Sequence, residues 1–404
     1  MKIAFLTPEY PSDAAAEGGL AGYVRKTAAA LAQRGCEVWV LVTSDRDARW
    51  RDGDVRVCQL RTPRLPAFLS RIPYLASVMP LLQRLLAARA CARAFHAAHA
   101  EAGFDLVQAS SYQAPGYALL GNGAVPVVCR VSSYTPLYAA AQGNKRKFSE
   151  YLLDWLELRQ VVDADASFSP SRFMADYFER LEAHDLEVVK TPLEDLSAED
   201  DDAFCASHAP SGRYLLYFGT LNRVKGVDLL VQALPGLLAR HPDLSVVFIG
   251  RDDGGPDGIK YADRLRRSCP ESSQRLLFFP VLPKSRLFPF VRRAAAVLVP
   301  SRVDNYPNVC LEALQLGTPV IASDRSSLEE MVKDGVNGFL FGNGDADSLA
   351  VSVERLLSLS GDELAALRQG VGREVDAIAS EDRIGELLAF YRRVIREFKQ
   401  RREP

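Results

Sequence analysis

The sequence predicts an α/β chain made of two doubly wound parallel-sheet domains. Three observations predict it. Short apolar runs recur in both halves, each followed by a helical pattern, which is the rhythm of βαβ units. At 404 residues the chain exceeds one ordinary core and accommodates two. An acidic, apolar-poor stretch over 194–211, with Glu199-Asp200-Asp201-Asp202 inside it, interrupts the rhythm and reads as a linker.

The first half opens on a buried strand at 2–7. A glycine-bearing loop over 14–19 follows, then a helix over 20–34 that Gly35 stops as a left-handed cap. Further strands are predicted at 38–42, 55–60, 106–109, 125–131 and 166–169, and Ser171 caps a helix reaching 181. The second half gives strands at 214–218, 244–249, 276–279, 296–299 and 320–322, with a helix over 227–240. A terminal helix is expected over 382–398. In such sheets ligands sit at the carboxyl ends of the strands.

Composition narrows the function. A formal net charge of -2 gives no global argument for nucleic-acid binding. The seven cysteines are scattered with no CxxC or Cys/His cluster, which argues against a zinc site or a disulfide framework. Glu9 follows the first apolar residues too soon for a secretory leader, and no apolar run is expected to reach the roughly 18 to 20 residues of a spanning helix. A cytoplasmic protein is therefore expected. Residues 55–100 hold no acid but carry Arg56, Arg61, Arg64, Arg71, Arg84, Arg89 and Arg93 among apolar residues. Two readings stand: a helical hairpin with snorkelling arginines, or a surface for an anionic acceptor or anionic lipid, with peripheral contact on the inner face of a membrane.

The chemistry concentrates in residues 300–323, PSRVDNYPNVCLEALQLGTPVIAS. Pro300-Ser301 ends a strand, and Pro307 suits the first turn of a short helix that stops at Gly317. Amides at Asn308, Val309 and Cys310, with the helix dipole, would make a diphosphate pocket. Glu312 would accept from a ribose diol, and Asp304 from hydroxyls of a transferred sugar. Upstream, GTLNRVKG (219–226) supplies Arg223 and Lys225. Fixed cations there would stabilise a departing nucleoside diphosphate. The bland alternatives are a capping Asp304, a solvated Glu312 and surface-turn basic residues.

Residues 300–323 closely resemble the signature of glycosyltransferase family 4, retaining enzymes of GT-B architecture, in which two Rossmann-like domains face each other across a cleft. The family's Glu-x7-Glu motif would here be Asp304 and Glu312. Gly335-Val336-Asn337-Gly338-Phe339-Leu340 and the amino-terminal MKIAFLTPEYP…GGLAGYV extend the resemblance. It implies that Lys225 grips the donor diphosphate, with Arg223 substituting for a family arginine that often falls at Thr220. It implies that Gly18 and Gly19 approach the donor phosphates or the acceptor. The family usually carries a His after a first-domain strand; here Ser132 takes that place, followed by Ser133 and Tyr134. These three are candidates for lining the cleft, with Ser110, Ser111 and Tyr112 behind them. Donor base and sugar would be chosen near Gly250-Arg251 and Val281-Leu282.

The implied function is retaining transfer of a sugar from a nucleotide-diphosphate sugar to an acceptor hydroxyl. Asp304, Lys225, Arg223 and Ser132 would be catalytic, with no cofactor and no metal. The acceptor would be a sugar, a lipid-linked sugar or a small molecule. The expected division is residues 1–190, with 382–404 packing back on them, and 191–381 as linker plus nucleotide-sugar domain. A nucleotide-sugar epimerase, a non-catalytic nucleotide-sugar binder and a membrane-surface scaffold remain as alternatives.

Overall fold

The computed structural model describes residues 1–11, 19–143, 145–193, 196 and 200–402. Gly18 and the greater part of the expected 14–19 loop lie outside the described residues, as do 194–195 and 197–199 of the expected linker. The chain divides into two units. The first comprises Met1–Ala139, Lys145–Pro192 and Asp382–Pro404; the second comprises Ala140–Asn144 and Leu193–Glu381.

The first unit is built on strands β1 (Lys2–Thr7), β2 (Glu37–Ser44), β3 (Ala48–Asp52), β4 (Val55–Arg61), β5 (Leu106–Ser110), β6 (Val127–Arg130), β7 (Ala166–Ser169) and β8 (Glu187–Val188). They form one sheet in the order β3-β4-β2-β1-β5-β6-β7-β8. All neighbours are parallel except the edge pair β3·β4. The apolar run of β1 is explained by burial on both faces. Ile3 and Phe5 enter one core, Ala4 and Leu6 the other, because successive side chains of a strand point to opposite faces.

One face is covered by the Gly19–Gln33 and Arg383–Gln400 helices. Leu387, Tyr391 and Val394 of the terminal helix are buried there. The other face carries the Pro73–Ala102 helix through Cys91, Phe95 and Ala98. The expected hairpin over 55–100 is therefore corrected. The segment is β4, a short turn and one 30-residue helix that contains Pro80 and ends on left-handed Gly103. Leu75–Ala102 of this helix is also long and apolar enough, by length and composition, to span a membrane. Its buried residues pack on the sheet instead.

The second unit holds β9 (Tyr214–Phe218), β10 (Ser245–Ile249), β11 (Leu276–Phe279), β12 (Ala296–Val299), β13 (Val320–Ser323) and β14 (Gly338–Phe341), all parallel, in the order β11-β10-β9-β12-β13-β14. β9 again alternates: Leu215 and Tyr217 face one core, Tyr214, Leu216 and Phe218 the other. The expected linker is partly corrected. Asp202–His208 is a helix, capped by the Asp201 side chain on Phe204 N at 3.1 Å. Asp200, Asp201 and Asp202 each carry a counter-charge. Asp200 pairs with Arg292, Asp201 with Arg286 at 2.9 Å, and Asp202 with Arg293 at 2.8 Å. All three arginines lie on the Lys284–Arg293 helix.

Candidate active site

In the second unit, β9 lies between β10 and β12, so the sheet order reverses at the β9/β12 boundary. The loops that leave these two strands meet at their carboxyl ends, where open α/β sheets bind ligands. Glycine makes the close approach possible. A Cβ on Gly226 would stand 1.8 Å from the Pro300 carbonyl oxygen, and Gly226 has φ 73. Arg302 N donates to Val224 O at 2.8 Å, which fixes the 219–226 turn beside the loop after β12. Asn222 Oδ1 accepts from Lys225 N at 2.9 Å and shapes the turn from within.

This packing brings Lys225 Nζ to 2.6 Å from Asp304 Oδ2. Asp304 is buried, while Lys225 keeps about a third of its side chain exposed (32%). A half-exposed ammonium has three donors, so one can hold the carboxylate while others meet a ligand. The loop behind is held in place: Ser327 Oγ donates to Asp304 O at 3.0 Å and accepts from Tyr306 N at 2.7 Å. Tyr306 has φ 58, left-handed backbone for a non-glycine residue. Such strain persists only where surroundings over-determine it, and it gathers at functional sites.

The Asn308–Gln315 helix starts at this point. Pro307 occupies its cap position rather than its first turn. One expected donor is lost, because Cys310 N already donates to Pro307 O at 3.1 Å. The Cys310 side chain is fully buried, and burial pushes its thiol pKa up. Val309 reaches toward the turn, its Cγ2 lying 3.9 Å from where a Cβ on Gly219 would be. Glu312 is buried, with Lys284 Nζ at 3.8 Å.

Arg223 does not join Lys225 on Asp304. It pairs with Asp228 at 3.4 Å, and Arg302 pairs with the same oxygen at 2.7 Å. Gly250, with φ 152, comes so close to Gly219 that a Cβ would be 1.9 Å from Gly219 O. Its role is steric. Arg251 is largely exposed and pairs with Asp253 at 2.8 Å. Leu282 packs against the core that contains Cys310, while Val281 is exposed. Sequence reasoning missed Lys284, Arg302 and Ser327. Arg302 stood inside the motif and was available; the other two belong to distant segments with no signal of their own. Among the described residues, no group of three His, Cys, Asp or Glu side chains could hold a metal ion.

In the first unit, Gly19 begins a helix, exposed, with nothing within 4 Å of a Cβ placed there and without positive φ. The fold itself does not require glycine at this position. Ser132 accepts from Arg130 Nη1 at 2.7 Å, and its own amide donates to Ser111 Oγ at 3.2 Å. Arg130 is buried, its guanidinium 3.4 Å from the Tyr23 ring centroid, and burial lowers its pKa. Ser133 O accepts from Ser111 Oγ at 3.1 Å. Tyr134 is corrected: it is a core residue, packed on Tyr177 and Phe178. Ser110 and Ser111 are buried too, so of the weaker trio only Tyr112 keeps appreciable exposure.

Two family models match the chain: Glycosyl transferases group 1 over residues 201–370 and a Glycosyl transferase 4-like domain over residues 18–193. The chain belongs to this glycosyltransferase family. Among its relatives are D-inositol 3-phosphate glycosyltransferases of Acidothermus cellulolyticus, 33% identical over 150 residues, and of Catenulispora acidiphila, 31% identical over 185 residues. These matches take in 36% and 45% of this chain but only 34% and 44% of those proteins. Among solved structures, sucrose-phosphate synthase from Thermosynechococcus elongatus aligns over 98% of this chain and 99% of its own, with TM-score 0.78 and 21% identity. Anabaena HepE in complex with UDP and glucose aligns over 94% and 98%, with TM-score 0.66 and 18% identity. These likenesses identify the two units of this glycosyltransferase-family chain as those of the GT-B fold.

Proposed function

We infer that the chain transfers a sugar from a nucleoside-diphosphate sugar to an acceptor hydroxyl with retention of configuration. The observation that carries this reading is the Lys225–Asp304 contact beside the start of the Asn308–Gln315 helix, at the reversal point of the second sheet. A leaving diphosphate gains charge as the glycosidic bond breaks. Lys225 and the helix start stabilise that charge without rearranging. Asp304, oriented by Lys225, accepts from hydroxyls of the transferred sugar. Glu312 accepts from the ribose, with Lys284 setting its direction. The acceptor oxygen attacks on the face the nucleotide leaves, and the departing phosphate oxygen takes the acceptor's proton. Ser132, aimed by Arg130, and Gly19 serve the acceptor side. The Lys225 ammonium and the amide dipoles of the helix start carry the leaving-group charge, so no metal ion or other cofactor enters this scheme.

HepE was solved with UDP, which makes uridine the first base to try. The test is release of nucleoside diphosphate from a panel of nucleotide sugars, with the product anomer read by NMR. Acceptor-dependent release, α product from an α donor, and no loss on adding EDTA are expected. Conversion of the donor sugar without an acceptor would replace transfer by epimerisation. An inverted product, or a strict need for a divalent ion, would overturn the mechanism.

The reading extends to peripheral contact with the inner face of a membrane. Phe68 and Ile72 are 62% and 48% exposed next to Arg71, an apolar and basic edge suited to anionic lipid. Flotation with anionic vesicles that salt abolishes is the expected result. Equal recovery with neutral vesicles would remove this contact.

A further inference from the structure

The first unit carries a cavity of its own. In its sheet β1 lies between β2 and β5, so the order reverses between β1 and β5. That reversal opens a crevice at the carboxyl ends of both strands. Pro8, directly after β1, and Gln113, just after β5, line a cavity of about 320 Å³ there. Thr43 and Thr62 close it from the ends of β2 and β4, and Arg84 covers it from the Pro73–Ala102 helix. The volume is at the lower end of small-ligand sites, about 300–1,000 Å³, and suits a sugar-sized molecule.

Arg84 is the one charged side chain among the described residues of the lining. It is half-buried and donates to Gln113 Oε1. Among the described residues it forms no ion pair within 4.0 Å. Glu157 is the carboxylate whose field reaches it. The oxygens of Glu157 are already occupied by Gln113 N at 2.9 Å and Thr135 Oγ1 at 2.6 Å. A partly desolvated guanidinium without a direct counter-ion is costly, and an arriving anion repays that cost.

The rim is built for a fixed geometry. Gln113 and Ala114 have φ 68 and 47, two successive non-glycine residues in left-handed backbone. Glu157 holds the Gln113 amide, while Gln160 accepts from Gly116 N at 2.7 Å and donates to Ser110 O at 2.8 Å. Two buried side chains of the Phe148–Val162 helix thus maintain a strained loop whose Gln113 meets Arg84. A neighbouring hollow shares Thr62 and adds Arg61 and Arg64, with Asp45 opposite. Arg84 within the cavity and basic residues lining the adjoining hollow favour an anionic ligand, such as a phosphate monoester near neutral pH.

We propose that this cavity binds the acceptor through an anionic group, a phosphate monoester on a sugar or polyol, held by Arg84 with Gln113 beside it. The word acceptor rests on the glycosyl-transfer reading; the anion site rests on the cavity. The test is calorimetric titration of the full chain with glucose 6-phosphate, glucose and inorganic phosphate, with UDP as a separate arm. Glucose 6-phosphate is expected to bind and glucose at the same concentration is not. Arg84→Ala is expected to weaken glucose 6-phosphate by about 10- to 100-fold, as for loss of hydrogen bonds to a charged group, with UDP affinity unchanged. Arg84→Lys and Gln113→Ala, milder changes, are expected to weaken it by smaller factors and keep the test open if Arg84→Ala fails to fold.

Equal affinity in wild type and the Arg84 variants would overturn the proposal, as would equal binding of glucose. Arg84-dependent binding of phosphatidylglycerol vesicles without binding of glucose 6-phosphate would assign the site to a lipid headgroup and overturn it too. Loss of UDP binding with Arg84-dependent glucose 6-phosphate binding intact would defeat the donor reading and leave the cavity's anion site standing.

Discussion

Lys225 and Asp304 are 79 positions apart in sequence, and their charged atoms are 2.6 Å apart. Spacing along the chain assigned each a separate task, one on phosphate and one on sugar. The contact shows that the same ammonium also orients the carboxylate. Lys225→Ala should therefore lower turnover by about 10²–10³-fold, the range for removing one preorganised donor to developing charge. The accompanying Asp304→Ala should cost much less in the Lys225→Ala background than alone; steady-state rates on the four-member cycle check this. Arg223 was legible as a cation in the right turn but not as a partner of Asp228. Its register gives no hint that Arg302 shares that carboxylate.

Glu157 offers a residue-scale test by pH. Burial raises its carboxyl pKa above the ordinary 4.5, with the Thr135 and Gln113 hydrogen bonds pulling back. A raised folded value means that its stability contribution is complete below 4.5 and is lost as pH rises through the folded value. Denaturant midpoints should show wild type losing ground to Glu157→Gln across that window. A constant difference between the two proteins would contradict the burial cause.

At the scale of elements, the turns were legible where glycine was forced and illegible where polar contacts decide. Gly35 and Gly317 end helices with φ 79 and 77, as their positions in the apolar pattern suggest. Gly226 does more, since any Cβ would collide with the Pro300 carbonyl. Gly226→Ala should cost about 2–4 kcal/mol of stability, read by chemical unfolding, through strain and displaced backbone. The Asp202–His208 helix escaped the sequence reading because its stabilising partners are arginines on the Lys284–Arg293 helix, far along the chain. Composition sees an acidic run; only the fold supplies its counter-charges. The hairpin expected over 55–100 failed for a related reason. Pro80 lies inside one continuous helix, whose carboxyl-terminal half packs on the sheet through Cys91, Phe95 and Ala98, a contact that local composition does not reveal.

At the scale of the whole molecule, short continuous apolar runs specified nearly every parallel strand, because strands buried on both faces leave a continuous signal. The short edge strands β3 and β8 left no such signal; their residues are at most half-buried. The terminal helix belongs to the first unit. Ile384, Leu387, Leu388, Phe390, Tyr391 and Val394 enter its core, and Arg383 Nη1 donates to Thr191 O at 2.7 Å. A chain ending at Glu381 should lose the cooperative unfolding of the first unit and bind hydrophobic dye, since each large apolar side chain uncovered forfeits about 1.5–3 kcal/mol. A truncated chain with unchanged thermal unfolding would contradict that packing.

The central claim is that the carboxyl ends of β9 and β12 hold a nucleoside diphosphate. Calorimetric titration of UDP, and of GDP and ADP if UDP is silent, into wild type, Lys225→Ala and Glu312→Ala tests it most directly. At least one diphosphate should bind wild type, and each variant should weaken it about 10- to 100-fold while melting normally. Undiminished affinity in both folded variants would place the nucleotide elsewhere and contradict the account.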